Sequence, residues 1–580
     1  MFVKITTSGP RRYVQLVESY RDETGRVKKR TVATLGRLDQ LTGELDAVID
    51  GLLKVSGRQP VGAKTAASAL GAAASASGAI PASSLSFEAG RALGDVWALT
   101  ELWKELGFSD LRRVFRRTRH TIDVEALVRI MVLNRVCDPD SRLGVLRWLQ
   151  TVALPDIGVK ALTHQQLLRS MDALMDNQEA VDAVIAGLLR PLVNCDLSMA
   201  FYHMTTLRAE GLSAMAEDVR KFGAAKEGFM ARQFMLGMVQ TAKGLPICHE
   251  VFDGNTAEAK SLLPIVKKLM ERFPNLRRLI LVADRGLLSL DNLQALQAIR
   301  LRPDKSEVQR QSSGQAQAQA LEFIIAVPGR RYHEFADLLE PLQRQCAKAR
   351  AGMTVEVAWC GLRLVAAHDP ATAFEQQRKR KATMAELQAQ VKGWAGKLSD
   401  SSIKARFCHA VLEAHLGNII KVDMKAELFS YAIDENALRL AELMDGKLLV
   451  VTNVHDMTPD KVIERYKSLA EIERGFKVLK SELEIRPVNH HLPGRIRAHA
   501  SISFMALILH RVMRMRLRAG NMEITPERAL QCLQRIQHHR VSINGAPPLS
   551  GMSSITAEQG EVLTALQVKT PSLSQAMSFL

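Results

Sequence analysis

The stretch Leu279-Ile280-Leu281-Val282-Ala283-Asp284-Arg285-Gly286 is apolar at five consecutive positions and then turns to charge and glycine. Alternation would mark a strand with one wet face, whereas a continuous run marks a strand buried on both, as in the centre of an α/β sheet. Ligands of such sheets bind beyond the strand ends. Asp284 therefore stands where a metal ligand would be placed, although a strand-ending Asp is more often a turn former or helix cap. On the N-terminal side, 199–207, 229–241 and 245–252 read as strands and 257–273 as a helix. Three strands, a helix and a fourth strand predict an α/β fold with a mixed sheet.

Further out, a helix is expected at 290–299, an exposed Gln- and Ser-rich loop at 305–319, and strands at 323–327 and within 355–367. A long charged helix (371–398), a strand (448–454), a strong helix (460–482) and an apolar-then-basic segment (502–517) follow. Alternating runs at 13–17 and 29–35 around a polar turn predict a small β-meander. The Ala, Ser and Gly of 61–86 cannot bury enough side chain to order a domain. Helical periodicity, as in Val124, Leu127, Val128, Ile130 and Met131, dominates from 87 to 194. The basic cluster Arg112, Arg113, Arg116, Arg117 and Arg119 reads equally as a solvated face or a phosphate-contacting surface.

The 580 residues carry 78 Lys+Arg against 61 Asp+Glu, a formal charge of +17, with 47% hydrophobic residues. That balance excludes disorder, collagen and a disulfide scaffold as descriptions of the whole. The excess of base points to a polyanionic partner. No charged leader with an apolar core opens the chain, and no stretch approaches the ~18 apolar residues of a membrane span. Seven cysteines without a close CxxC pair argue against disulfides and structural zinc. A reduced, cytoplasmic, DNA- or RNA-associated protein is the expectation. His490-His491 and His538-His539 are expected as exposed loop residues and Cys248-His249 as packing; no phosphate loop indicates ATP use.

The helix at 460–482 is the second informative stretch. Tyr466, Glu473 and Lys480 are seven apart, nearly two helical turns, so all three project from one face. Glu473 lies among Ile463, Leu469, Ile472, Phe476 and Leu479. A carboxylate there, with a lysine two turns away, could bind a cation and hold a phosphate beside it; alone, the pattern would be an ordinary amphipathic helix.

Taken together, the chain resembles the DDE transposases of bacterial insertion sequences, and more narrowly the insertion-sequence-four type group. The resemblance extends over about 196–506. It is carried by Gly254-Asn255-Thr256 with Glu258, by Ala283-Asp284-Arg285-Gly286, by Asp445-Gly446-Lys447 through Asn453, by Tyr466-Lys467-Ser468-Leu469 through Glu473-Arg474-Gly475-Phe476, and by Arg486-Pro487-Val488 through His499. The 189 residues from Asp284 to Glu473 leave room for the group's strand-rich insertion. The resemblance implies a multidomain α/β protein with a ribonuclease-H-like mixed-sheet core. Its expected parts are a β-rich region (1–55), a linker (56–86), a helical DNA-binding region (87–194), the core's first part (195–302), an insertion domain (303–444), the core's second part (445–545) and a tail (546–580). It also implies strand cleavage and transfer with Mg²⁺ or Mn²⁺ held by Asp284 and Glu473, and DNA contacts from Tyr466, Lys480, Arg285 and Arg474. The implied partners are double-stranded DNA, as terminal inverted repeats and target, and a second copy in a homodimeric paired-end complex, associated with the nucleoid and not a membrane.

Two positions depart from the family pattern. Leu469 stands where an Arg is usual three residues after the Tyr, so a neighbour such as Lys467 or Arg474 must supply its role, or it is absent. In Phe201-Tyr202-His203-Met204-Thr205-Thr206, His203 stands in the place of the first catalytic Asp. Imidazole cannot bridge two hard cations as a carboxylate does. Asp196 and Glu210 are each seven residues away, roughly 23 Å along a strand and on its opposite face. The expectation is a transposase fold with DNA affinity and impaired cleavage; the alternatives are a non-catalytic relic that inhibits an active relative, or a nuclease without transposition.

Overall fold

The computed structural model describes residues 2–8, 11–21, 27–37, 85–116, 122–157, 162–193, 198–210, 217–224, 230–274, 276, 278–301, 319–348, 351–393, 401–486, 488–543 and 547–572. Two units divide at Ser84 and Leu85. The first holds the antiparallel meander β1 (Phe2–Ser8), β2 (Arg11–Arg21) and β3 (Val27–Arg37), in that order. Nearly all of the linker at 56–86, the loop at 305–319, Asp196, Arg117 and Arg119 lie outside the described residues.

The second unit opens with a strand, β4 (Leu85–Ala92), where the sequence suggests the end of a linker and the start of helix. It pairs with β16 (Gln537–Ile543), which also pairs with β17 (Leu549–Met552). A partner some 450 positions distant leaves no local signal, and His538, expected in an exposed loop, is buried in this sheet. Between them comes the helical block α1 (Gly94–Glu105), α2 (Leu111–Phe115), α3 (Val124–Cys137), α4 (Arg142–Trp148), α5 (His164–Asp176) and α6 (Gln178–Val193). In its basic cluster Arg112 pairs with Glu125 (3.1 Å) and Arg113 with Asp110 (3.4 Å).

The central sheet has nine strands: β5 (Met199–Arg208), β6 (Lys221–Ala224), β7 (Met230–Thr241), β8 (Pro246–Asp253), β9 (Ile280–Ala283), β10 (Glu322–Ala326), β11 (Met353–Trp359), β12 (Leu362–His368) and β15 (Lys447–Thr452). Its order is β11-β12-β15-β10-β9-β5-β7-β6, with β8 also on β7. The meander β5-β7-β8 is antiparallel, while β9 runs parallel to β5 and β10 parallel to β9. Order 8-7-5-9-10 with these directions is the ribonuclease-H-like topology. All four residues of β9 are buried, as the double-sided apolar run requires.

Period-two alternation sorts these side chains onto two cores. Ala200, Tyr202, Leu281, Ala283, Phe323 and Ile325 face one; Met199, Phe201, Ile280, Val282, Ile324 and Ala326 face the other. The first is covered by elements including α7 (Glu258–Arg272), α8 (Leu290–Ala298), α9 (Ala336–Lys348) and the long α15 (Pro493–Ala519). The second is covered by α13 (Pro459–Lys467) through Val462, Ile463 and Tyr466.

The expected insertion at 303–444 is therefore narrower than its bounds, since β10 completes the core and β11 and β12 extend the same sheet. What stands apart is a lobe of α10 (Pro370–Val391), α11 (Ser401–Glu413), the hairpin β13 (Ile420–Val422) and β14 (Tyr431–Ile433), and α12 (Glu435–Met444). It has its own core around Leu387, Phe407 and Phe429. The chain returns to the sheet through Gly446, whose φ of 64° and a would-be Cβ 2.4 Å from the Asp369 carbonyl admit only glycine. Among the described residues no helix is long and apolar enough to cross a membrane.

Leu281 is fully buried in the central strand, whereas Leu290 is 54% exposed. Leu281→Ala is expected to cost about 2–5 kcal/mol through lost burial and a residual cavity, and Leu290→Ala to change little; thermal or denaturant unfolding of the two variants measures this.

Candidate active site

Three side chains distant in sequence meet where the carboxyl end of β9 lies beside the middle of β5. The parallel register sets Tyr202 opposite Ala283, so His203 and Asp284 come next to one another. His203 projects from the same strand face as Met199 and Phe201. Along that face the chain lays α13 and then α14 (Leu469–Ser481), which delivers Glu473. Ligand atoms of His203, Asp284 and Glu473 all lie within 4.8 Å of one another. His203 is buried, Asp284 half-buried and Glu473 exposed.

The expected single helix at 460–482 is two helices broken at Ser468. The Ser468 hydroxyl donates to the Glu464 carbonyl at 3.0 Å, the back-bonding that bends helices. Tyr466 thus belongs to α13, while Glu473 and Lys480 belong to α14. Tyr466 is buried and its hydroxyl donates to Asp284 Oδ1 at 3.4 Å. Burial, then the Asp284 charge, push its phenol up to about 12, so it remains a donor. Lys480 donates to the buried Thr205 hydroxyl at 2.5 Å, again on the odd face of β5.

Asp284 serves three neighbours. Its Oδ1 caps the following turn by accepting from the Arg285 backbone N–H at 2.6 Å, its Oδ2 lies 3.5 Å from His203 Nδ1, and Tyr466 holds it from the side. The His203 contact is at the long limit for a hydrogen bond, and Nδ1 has no aligned acceptor, so it is a close polar approach and not a hydrogen bond. The His203 imidazole first, with the Arg285 N–H and both residues' charge, holds the Asp284 carboxyl down at about 2 against the opposing effect of burial. The His203 ring meets the Phe476 ring edge-on at 5.1 Å, fixing its plane.

No further acid joins the group among the described residues. Glu210 pairs with Arg208 at 3.2 Å, and Glu258 packs over the Cα of Gly286, where a Cβ would meet its carboxylate at 1.5 Å. Arg285 and Arg474 are exposed near the cluster. Leu469 is buried in the core beneath α13 and Lys467 is exposed; the guanidinium beside Tyr466 is Arg285, whose pKa is raised through Tyr466 even though burial opposes it. Nothing in the local sequence marks Arg285 for that place, because only the parallel register brings it to Tyr466.

A second close group, Glu482, His510 and Glu527, is a closed ion pair. His510 Nε2 is 2.6 Å from Glu527 and 3.1 Å from Glu482. Burial disfavours its charged form, but the two carboxylates outweigh burial and raise its pKa.

A ribonuclease-H-like sheet with oxygen and nitrogen ligands gathered on the middle of its first strand and just past the end of its fourth defines a metal-dependent phosphoryl-transfer domain. Residues 205–509, more than half of the chain, match the family model of the transposase DDE domain, and residues 3–65 match that of the IS1634 family transposase N-terminal domain. The chain belongs to the DDE transposase family and is an insertion-sequence transposase, an enzyme class of DNA transposition. The DDE match opens at Thr205, just past His203. Among solved structures, a piggyBac transposase synaptic complex with hairpin DNA is similar at TM-score 0.37 and 7% identity over 84% of each chain. No curated protein matches the sequence.

Two carboxylates and one imidazole suit a single divalent ion of intermediate hardness better than a bridged pair of hard ions. Titration with Mn²⁺ followed by electron paramagnetic resonance is expected to show a binding event that Asp284→Asn and Glu473→Gln each remove; binding unchanged in both would exclude a metal here.

Proposed function

We propose that this chain binds transposon-end DNA as a homodimer pairing two ends, and that His203 leaves it strongly impaired in strand cleavage and transfer. The observation supporting this reading is the convergence of His203, Asp284 and Glu473, with an imidazole where the family has a carboxylate. Within the insertion-sequence transposases we assign it to the insertion-sequence-four type group, a reading supported by the strand-bearing insertion between β10 and α13. The N-terminal β unit and the helical block are its DNA-end readers, the target is double-stranded DNA, and the site of action is the cytoplasmic nucleoid. The charge of +17 supplies the sequence-independent affinity.

Asp284 and Glu473 would hold Mg²⁺ or Mn²⁺, which when bound polarises the scissile phosphate and activates the attacking hydroxyl. The chain's own residues do the rest. Tyr466 and the Arg285 backbone N–H fix the two lone-pair directions of Asp284 Oδ1. Arg285 and Arg474 present positive charge where the phosphate backbone would lie, and Lys480, seated on Thr205, holds α14 against β5 so that Glu473 reaches the site. Where the family's first carboxylate would contribute a third negative charge, His203 contributes none. Two carboxylates balance one divalent ion and leave a second uncompensated.

The alternative reading, a decayed copy that occupies ends and inhibits an active relative, is favoured by the same His203 and differs only in chemistry. The deciding measurement is Mg²⁺- or Mn²⁺-dependent cleavage of terminal-repeat DNA by the unaltered chain and by His203→Asp. A gain of about 100-fold, roughly 2.7 kcal/mol in barrier, is expected for His203→Asp, and it should vanish when Glu473→Gln is added. Robust cleavage by the unaltered chain would sink the proposal.

A further inference from the structure

A cavity of about 510 Å³ lies between the start of α4, the start of α15 and the segment that follows α14. Two guanidinium groups in its wall are at least nine-tenths buried, Arg135 at 4% and Arg142 at 5% exposure. Neither is bound to a carboxylate. Arg135 donates to the backbone carbonyls of Glu484 (3.1 Å) and Asp140 (3.3 Å). Arg142 makes a single bond, Nη2 to His499 Nδ1 at 3.2 Å, and His499 in turn donates from Nε2 to the Ile485 carbonyl at 3.0 Å. That pairing fixes the imidazole tautomer. Arg142 Nη1 is buried with no hydrogen-bond partner.

A buried cation without a counter-charge costs several kcal/mol unless something answers it. Asp140 and Glu484 line the cavity and act on Arg135 at a distance, whereas no acid acts on Arg142. The Asp140 carboxylate accepts from the Ser141 backbone N–H at 2.6 Å and pairs with Arg147 at 3.4 Å, and Glu484 is exposed. Arg495, also in the wall, is already neutralised by a two-bond pair with Asp172 at 2.8 Å. The field inside the cavity is accordingly positive. Burial first, then the charges of Arg142, Arg495 and Arg135, hold the His490 imidazole down at about 3, and burial with Arg135 lowers Arg142 to about 9. An oxyanion in this cavity would offset the charge of the two guanidinium groups in its wall.

We propose that this cavity is a phosphate-binding site, in which Arg142 and Arg135 supply the charge, and that its ligand is a backbone phosphate of DNA. The DNA assignment rests on the transposase reading above, while the phosphate chemistry rests on the cavity alone. The site lies apart from the His203, Asp284 and Glu473 cluster but is bonded to the chain just after the Glu473 helix, through the carbonyls of Glu484 and Ile485.

The test uses the full chain with two probes, inorganic pyrophosphate by calorimetry and a short DNA duplex by anisotropy over a salt series. Arg142→Gln is expected to weaken pyrophosphate binding at least tenfold. It should also weaken DNA binding regardless of sequence, with the slope of log K against log salt reduced by about 0.9 for each phosphate that is no longer neutralised. Leu143→Glu, at a rim position 59% exposed, leaves the core packing intact and should produce the same two effects by repulsion, so the outcome does not depend on Arg142→Gln folding. Loss of pyrophosphate binding with DNA binding unchanged would overturn the DNA assignment and leave free phosphate as the ligand. Unchanged binding of both probes in folded Leu143→Glu and Arg142→Gln would overturn the site. Cleavage by the His203→Asp chain is scored separately: cleavage gained while both probes bind unchanged defeats the cavity alone, and cleavage not gained while Arg142→Gln weakens binding defeats the catalytic reading alone.

Discussion

The parallel pairing of β5 with β9 is the constraint on which the rest depends. Its register places Tyr202 against Ala283, and from that one match follow the adjacency of His203 and Asp284, the sorting of odd and even residues onto separate cores, and the face along which α13 and α14 run. A slip of one residue would exchange the two core faces and bury His203 beside Tyr202's neighbours. The register is held because both faces are fully apolar and differently shaped: Phe201, Ile280, Val282 and Ile324 interlock on one side, and Tyr202, Leu281 and Phe323 on the other. Tyr202 adds a polar anchor, its hydroxyl bonding Ser261 on α7 at 2.6 Å.

Features written in short-range periodicity are legible in the sequence. The unbroken run at 280–283 gives away a central strand, the spacing of Ile463 and Tyr466 gives away a core-facing helix, and the order of these pieces supports the fold class. Features made by distant partners are not. Nothing near Leu85 announces a strand, because its partner is β16. Nothing near Glu322 separates a fifth core strand from the insertion, because its membership is decided by pairing with β9. The break at Ser468 falls within an otherwise continuous helical periodicity, which does not encode it. His490, which the sequence places on an exposed loop, is half-buried in a wall of arginines, since the long α15 folds back onto the helical block.

Leu469 shows how a missing residue can be answered by tertiary structure. An arginine at that position would be buried beneath α13, where Leu469 fills the core at 4% exposure. The positive charge near Tyr466 comes instead from Arg285, one residue past Asp284. The phenol then bridges an anion and a cation: it donates to Asp284 and lies against Arg285. A residue pair in one strand-end turn thereby brings both charges to the phenol, where Leu469 brings none.

His203 changes more than a ligand count. Three carboxylates within 4.8 Å of one another repel, and such a site is stable only with its pKa values raised or with cations present. With imidazole in the first position the cluster has an internal partner for Asp284, whose carboxyl is held at about 2 chiefly by that imidazole. A metal at this cluster would meet one carboxylate fewer than three acids supply. The fold, the register and the surrounding basic charge are indifferent to that exchange, because His203 is packed against Phe476 and the sheet as an aromatic side chain. A histidine at this position is therefore compatible with the architecture, which depends on its packing and not on its charge.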